Sequence, residues 1–167
     1  MLINYYCAEI LLPAYMIADF QLSRLYDQPK GLEYILSRVP MELMAKEIRP
    51  GKWSIKENIA HLVRYQKETI DRVNRILTEN EPSLKRYIAE EDKEFPLTVS
   101  LTPDTLRKQL KEDREQIHAM LKSLTDDQIS RTGRHPVLGM LTLSEWIEFF
   151  LLHEAHHMLT IFQLAHA

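Results

Sequence analysis

Cysteine is nearly absent from this chain, and glycine is scarce. One cysteine, Cys7, in 167 residues permits no intrachain disulfide and no cysteine-based zinc knuckle. Any metal site must therefore use nitrogen and oxygen ligands, and a lone thiol fits a reducing cytoplasm. Four glycines leave little material for tight turns, and eight prolines fall at segment boundaries. Positive charge is not in excess either. A net charge of −3 excludes a large electrostatic footprint for nucleic acid. A long uninterrupted apolar run is missing as well, so no membrane partner is expected. The first sixteen residues, MLINYYCAEILLPAYM, are apolar but lack a basic leader region and are too short and interrupted to span a bilayer. They read as an N-terminal extension, either an element docked on the domain or an addition upstream of a start at Met16. Residues 17–167 then form one domain, long enough to bury a substantial core.

What is present is helical periodicity. A first helical region spans roughly residues 18–38, with Pro29 interrupting it or opening a second piece. Pro40 and then Arg49-Pro50-Gly51-Lys52 form the exit loop. Ser54-Ile55-Lys56-Glu57 is a capping box, in which the serine accepts from the third helical N–H and the glutamate reaches back. The helix it starts should reach about Thr78, burying Ile55, Ile59, Leu62, Val63, Ile70, Val73 and Leu77. Residues 80–101 are dense in charge and weak in period, which predicts a long loop with one short helix near 84–91; loops that long are often functional. Thr102-Pro103 opens a third helix, to about Leu124. Thr125-Asp126-Asp127-Gln128 caps a short turn, residues 131–141 read as a loop with His135-Pro136 and Gly139, and Thr142-Leu143-Ser144-Glu145 caps the last helix. Four principal helices with connections of mixed length predict an all-α fold, a four-helix bundle.

The last helix carries Trp146, Phe149, Phe150, His153, His157, Ile161 and Leu164 at three- and four-residue steps. His153 and His157 therefore continue its apolar stripe, one turn apart on one face. Burying two unpaired imidazoles would cost roughly 1–3 kcal/mol each. Two hydrogen-bonded core histidines and two ligands of a shared cation are both open readings. His156 lies about 100° round from His157, toward another neighbour or solvent. His61 sits beside the buried stripe of its helix, on an edge with Asn58, Tyr65 and Glu68. The spacing alone favours a boundary histidine there, and ordinary helix-edge roles for Asn58 and Tyr65 are as well supported as cleft-lining ones.

The run from Trp53 to Leu62, WSIKENIAHL, preceded by Arg49-Pro50-Gly51-Lys52, resembles the second-helix signature of the DinB-like superfamily. His135-Pro136-Val137-Leu138-Gly139, Leu141-Thr142-Leu143-Ser144-Glu145-Trp146 and His153-Glu154-Ala155-His156-His157 resemble its closing segment. The likeness is to the YfiT-like branch of metal-dependent hydrolases and bacillithiol transferases, and covers about residues 17–165. It implies a four-helix bundle of the DinB/YfiT type with a divalent metal held by three histidines, here His61, His153 and His157. Residues 1–16 and 80–101 match no motif of the family, so no substrate is implied.

Three neutral imidazoles suit zinc or nickel best, with iron or manganese as further options. A metal with open positions lowers the pKa of a bound water to about 7 or activates a thiolate. The expected function is thus a metal-dependent small-thiol S-transferase or hydrolase, acting on a small-molecule substrate with a low-molecular-weight thiol as partner. The alternative is a non-catalytic metal- or ligand-binding bundle, related to stress. No general base is assigned: Glu154 and Glu148 read as solvated-face residues, and His135, beside a proline, as a turn residue. Phe149, Phe150, Leu151 and Leu152 place apolar groups all round the last helix, which predicts a homodimer.

Overall fold

Three of the four long helices begin at a serine or threonine cap that the sequence supplies; the first begins at Ala18, without a side-chain cap. The computed structural model describes residues 17–167; the expected extension, residues 1–16, lies outside the described residues. Helix α1 spans Asp19–Leu36, followed by the single turn α2, Met41–Met44. Helix α3, Ile55–Thr78, opens on the reciprocal box between Ser54 and Glu57, with Ser54 N donating to Glu57 Oε2 at 2.7 Å. Helix α4 spans Glu94–Ser100, and α5, Pro103–Lys122, starts at the Thr102 cap with proline in its first turn. The short α6, Asp126–Ile129, and the long α7, Leu143–Ala165, open on boxes at Thr125 and Thr142. No helix among the described residues is long and apolar enough to cross a membrane.

Helix α1 runs through Pro29 instead of breaking there. Proline has no N–H for the Leu25 carbonyl four residues back. That carbonyl is satisfied from outside the helix, by Arg114 Nη1 of α5 at 3.0 Å.

Helices α1 and α3 each pack on both α5 and α7, so they occupy one diagonal of a four-helix bundle. Paired residues give the directions. Glu33 meets Arg107 and Leu25 meets Arg114, so α1 and α5 are antiparallel. Gln21 meets Ser144 and Gln28 meets Leu151, so α1 and α7 are parallel. Asn58 meets His157 while Arg72 lies over Trp146, so α3 and α7 are antiparallel. Neighbours α3 and α5 are therefore parallel. A 24-residue α3 is about 36 Å long, and the chain must return that distance before α5 begins.

Residues 79–102 make this return along the flank of α3. Lys85 O accepts from Arg72 Nη2 at 2.8 Å, Asp92 pairs with Arg64 at 2.7 Å, and Phe95 packs on Trp53. The helical turn expected near 84–91 is only a 3₁₀ turn at Ala89–Glu91; the true helix is α4, further on. Asp92 Oδ1 accepts from Glu94 N at 2.9 Å to start it. Pro96 fits α4 because first-turn N–H groups lack helical partners anyway.

The loop expected at 131–141 is instead an antiparallel hairpin, β1 (Thr132–His135) with β2 (Gly139–Thr142). Gly139, at φ +81°, closes its three-residue connection. Gly133 allows the strand against α3: a Cβ there would stand 2.9 Å from Ile76 Cγ1. Its carbonyl accepts from Trp146 Nε1 at 3.1 Å.

Two apolar clusters fill the bundle. One gathers Leu25, Ile76, Ile117, Ile147 and Phe150, the other Leu32, Ile59, Leu62, Leu106 and Ile161. A polar layer separates them, with one residue from each long helix: Gln28, Gln66, Arg114 and Glu154. Gln28 Nε2 donates to Glu154 Oε2 at 2.6 Å, Arg114 Nε donates to Gln66 Oε1 at 2.9 Å, and Arg114 pairs with Glu154. The expected α3 stripe holds except at Ile70 and Leu77, which are half-buried, while Gln66, Thr69, Arg72 and Ile76 are buried.

Candidate metal centre

Antiparallel packing of α3 on α7 sets His61 opposite the pair one turn apart on α7. His61 Nε2 lies 3.2 Å from His153 Nε2. One ligand nitrogen from each of His61, His153 and His157 lies within 4.8 Å of the others. His61 is 6% exposed, not a boundary residue. The helix edge that its spacing assigns to it is covered by α7 and by the returning segment, where Tyr87 lies 5.5 Å from its ring. Periodicity within one helix carries no information about a covering stretch of chain 26 residues away.

Asn58 fixes the tautomer of His157. Its amide Nδ2 donates to Ser54 O at 2.9 Å, which turns Oδ1 toward His157 Nδ1 at 2.9 Å. An amide oxygen only accepts, so Nδ1 carries the proton and Nε2 keeps the lone pair. Ring contacts orient the other two: Tyr65 stacks on His153 at 3.7 Å and 24°, and Trp53 lies 5.0 Å from His61, tilted by 44°.

Burial keeps all three rings neutral, since a charged imidazole loses its hydration there. His61 falls to about 4, a value that the Glu90 charge raises slightly. His157 falls to about 3, lowered further by His61 and His156, and His153 to about 2, lowered further by His157, His61 and His156. Neutral imidazoles are the form that binds metals.

A divalent cation fits these atoms. Two imidazoles on a tetrahedral metal at 2.0–2.1 Å stand about 3.3 Å apart, close to the observed His61–His153 separation. A hydrogen bond could join only those two nitrogens. It would leave the His157 lone pair unmatched, and either way the buried Nδ1 atoms of His61 and His153 have no partner among the described residues. No carboxylate or thiol among the described residues joins the three nitrogens, so the set is open on its remaining sides. It faces a cavity of about 470 Å³ walled in part by Trp53, Tyr65, Arg72, Tyr87 and Glu90, a volume suited to a small molecule.

Several acids and histidines take other roles. Glu154 is 1% exposed and belongs to the polar layer, not to a solvated face. Glu148 is half-buried and pairs with Arg24 at 2.6 Å. His135 is a turn residue, its Nδ1 accepting from Val137 N at 3.1 Å and Leu138 N at 3.0 Å, and it also lines the cavity. His156 is exposed at the cavity rim, edge-on to His157. Arg72, Tyr87 and Glu90 escaped the sequence reading. Arg72 sits in a helix interior without a motif, and the other two lie in the returning segment, where no period or motif marks them.

Residues 24–161 match the sequence model of the DinB superfamily. The chain belongs to that superfamily. Among similar proteins, a "Putative metal-dependent hydrolase" of Oceanobacillus iheyensis is 23% identical over 89% of this chain and 86% of its own. A Bacillus cereus protein of the same description is 26% identical over 83% and 80%. Two solved structures share the fold. YfiT from Bacillus subtilis, described as a probable metal-dependent hydrolase with an unusual four-helix bundle topology, gives a TM-score of 0.76 at 24% identity over 89% of this chain and 85% of that one. A mycothiol-dependent maleylpyruvate isomerase gives 0.70 at 15% identity, over 85% of this chain and 59% of the isomerase.

Proposed function

We propose that His61, His153 and His157 hold one divalent metal ion, zinc or nickel, and that the site is catalytic. The observation that carries this reading is the convergence of three neutral imidazoles on a small-molecule cavity with no fourth protein ligand among the described residues. Structural sites are usually closed by a fourth ligand, whereas reactive ones stay open. When bound, the ion supplies Lewis acidity that favours deprotonation of a water or a small thiol. The reaction is accordingly hydrolysis or the transfer of a low-molecular-weight thiol to an electrophile. The relatives' description as metal-dependent hydrolases supports the first, and the fold shared with a mycothiol-dependent isomerase is compatible with the second.

The chain's own residues supply the rest. Asn58 holds His157 in the productive tautomer, and Trp53, Tyr65 and Tyr87 wall the histidines with aromatic surface. Glu90 is the carboxylate of the cavity wall, with its charge acting on His61, and takes the proton in this reading. The protein works in the cytoplasm as a homodimer paired through α7, whose outer face exposes Leu152, Leu159 and Phe162.

A panel of small thiols against model electrophiles, run beside ester and amide hydrolysis assays, tests the catalytic reading. Turnover should vanish on chelation and return with zinc or nickel. Activity that survives complete chelation contradicts the mechanism.

A further inference from the structure

The cavity has a second polar group, centred on Arg72 about three turns along α3 from His61. Arg72 is 5% exposed and Tyr65 4% exposed, and both line the cavity wall. A guanidinium carries five N–H donors. Arg72 commits three of them: Nε to Glu68 Oε1 at 3.0 Å, Nη1 to Tyr65 Oη at 3.0 Å, and Nη2 to Lys85 O at 2.8 Å. Two N–H groups, one on each Nη, have no acceptor among the described residues. Tyr65 Oη accepts from Arg72, and its own hydrogen has no acceptor among them either.

These donors are held rigidly. The Tyr65 ring stacks on His153 and lies parallel to Phe150, at 5° and 6.2 Å. The Arg72 guanidinium sits 5.4 Å from both the Tyr65 and Trp146 ring centres. Buried donors without acceptors are costly, so a ligand group rich in acceptors gains by meeting them.

Charge narrows the choice. Glu68 offsets Arg72, but Arg86, on the cavity wall beside the Lys85 carbonyl, has no ion-pair partner among the described residues. Glu90, the opposing acid, acts on His61 at the other end. The Arg72 end is thus donor-rich and carries one surplus positive charge. A planar carboxylate matches a guanidinium fork and only accepts.

We infer that Tyr65 and Arg72 form a carboxylate subsite: the cavity takes a small carboxylic acid with its carboxylate on these residues and its other end toward the histidines. This rests on the reading of the histidines as the reaction centre and names the substrate class of that site. Arg86 adds long-range attraction at the rim.

Calorimetric titration of succinate into the full chain, both zinc-loaded and chelated, tests the inference. Succinamide and inorganic phosphate serve as controls, and thermal unfolding checks that each variant is folded. Succinate should bind both forms of the protein. Binding should weaken about tenfold or more in Arg72→Gln, as for a lost charge-assisted hydrogen bond. Smaller losses should follow in Tyr65→Phe and in the exposed Arg86→Ala, which leaves the core untouched. Succinamide should not compete. Equal affinity in wild type and these variants overturns the subsite, as does phosphate binding more tightly than succinate. Succinate binding confined to the zinc form and unaffected by Arg72→Gln puts the carboxylate elsewhere and also overturns it. A chain that takes no metal but binds succinate through Arg72 keeps the subsite and removes the metal reading.

Discussion

Asn58 determines which nitrogen of His157 is free, and the consequence is measurable. Outer-shell partners of metal-bound histidines are typically worth about 10–100-fold in affinity. Asn58→Ala should lose about that much in competition with a chromophoric chelator, while Asn58→Asp, which still accepts from Nδ1, should retain most of the affinity. Equal affinity in the alanine variant would remove Asn58 from the site. The three histidines also set an acid limit on the metal-free chain. Their folded values lie at about 4, 3 and 2, against an unfolded value of about 6.5. The unfolded chain therefore takes up these protons first. Stability is fully present above pH ~6.5 and declines as pH falls toward the folded values, by about 1.4 kcal/mol per unit for each histidine protonated only when unfolded. Urea midpoints of the chelated protein should fall between about pH 7.5 and pH 5, and a flat profile would contradict the burial of these rings. The pairing of two of the three proposed ligands was legible in the sequence: an i, i+4 pair on an apolar stripe is a statement about geometry. His61 was legible only through the motif around it, because the chain that buries it comes from elsewhere.

At the scale of elements, the polar layer explains how α7 is held in rotation. Glu154 directly follows His153 and points the other way, into Arg114 and Gln28. Arg114 in turn fills the hydrogen-bond gap that Pro29 leaves in α1. Breaking a buried pair costs more than the pair contributes, because one charge stays behind. Arg114→Met should lower unfolding free energy in urea by about 3–5 kcal/mol. The double variant with Glu154→Leu should recover much of that loss, and additive losses would contradict the coupling. Most helix boundaries were legible, since Ser54, Thr102, Thr125 and Thr142 all cap as their sequence context indicates. The hairpin was not. Its strands are four residues long, and Gly133 is their one buried position, so no alternation marks them. Glu154 was misread for a related reason: an acid in a helix looks solvated until its buried partner on another helix is known.

At the scale of the molecule, topology makes the site. Parallel neighbours α3 and α5 force a return of about 36 Å, and the returning chain walls the histidines and supplies Tyr87 and Glu90. The bundle was legible from the count of periodic segments, but the order of helices around it was not, because it depends on which faces meet. The exposed stripe of Leu152, Leu159 and Phe162 on α7 is the proposed dimer face. Sedimentation equilibrium should give twice the chain mass, and Leu159→Lys should shift it toward the monomer. A monomer at high micromolar concentration would remove this interface. The central claim is the metal, and metal analysis of protein purified without an affinity tag addresses it directly. Wild type should carry about one zinc or nickel ion per chain and His153→Ala, still folded, only a small fraction of that; equal metal contents in the two proteins would contradict the account.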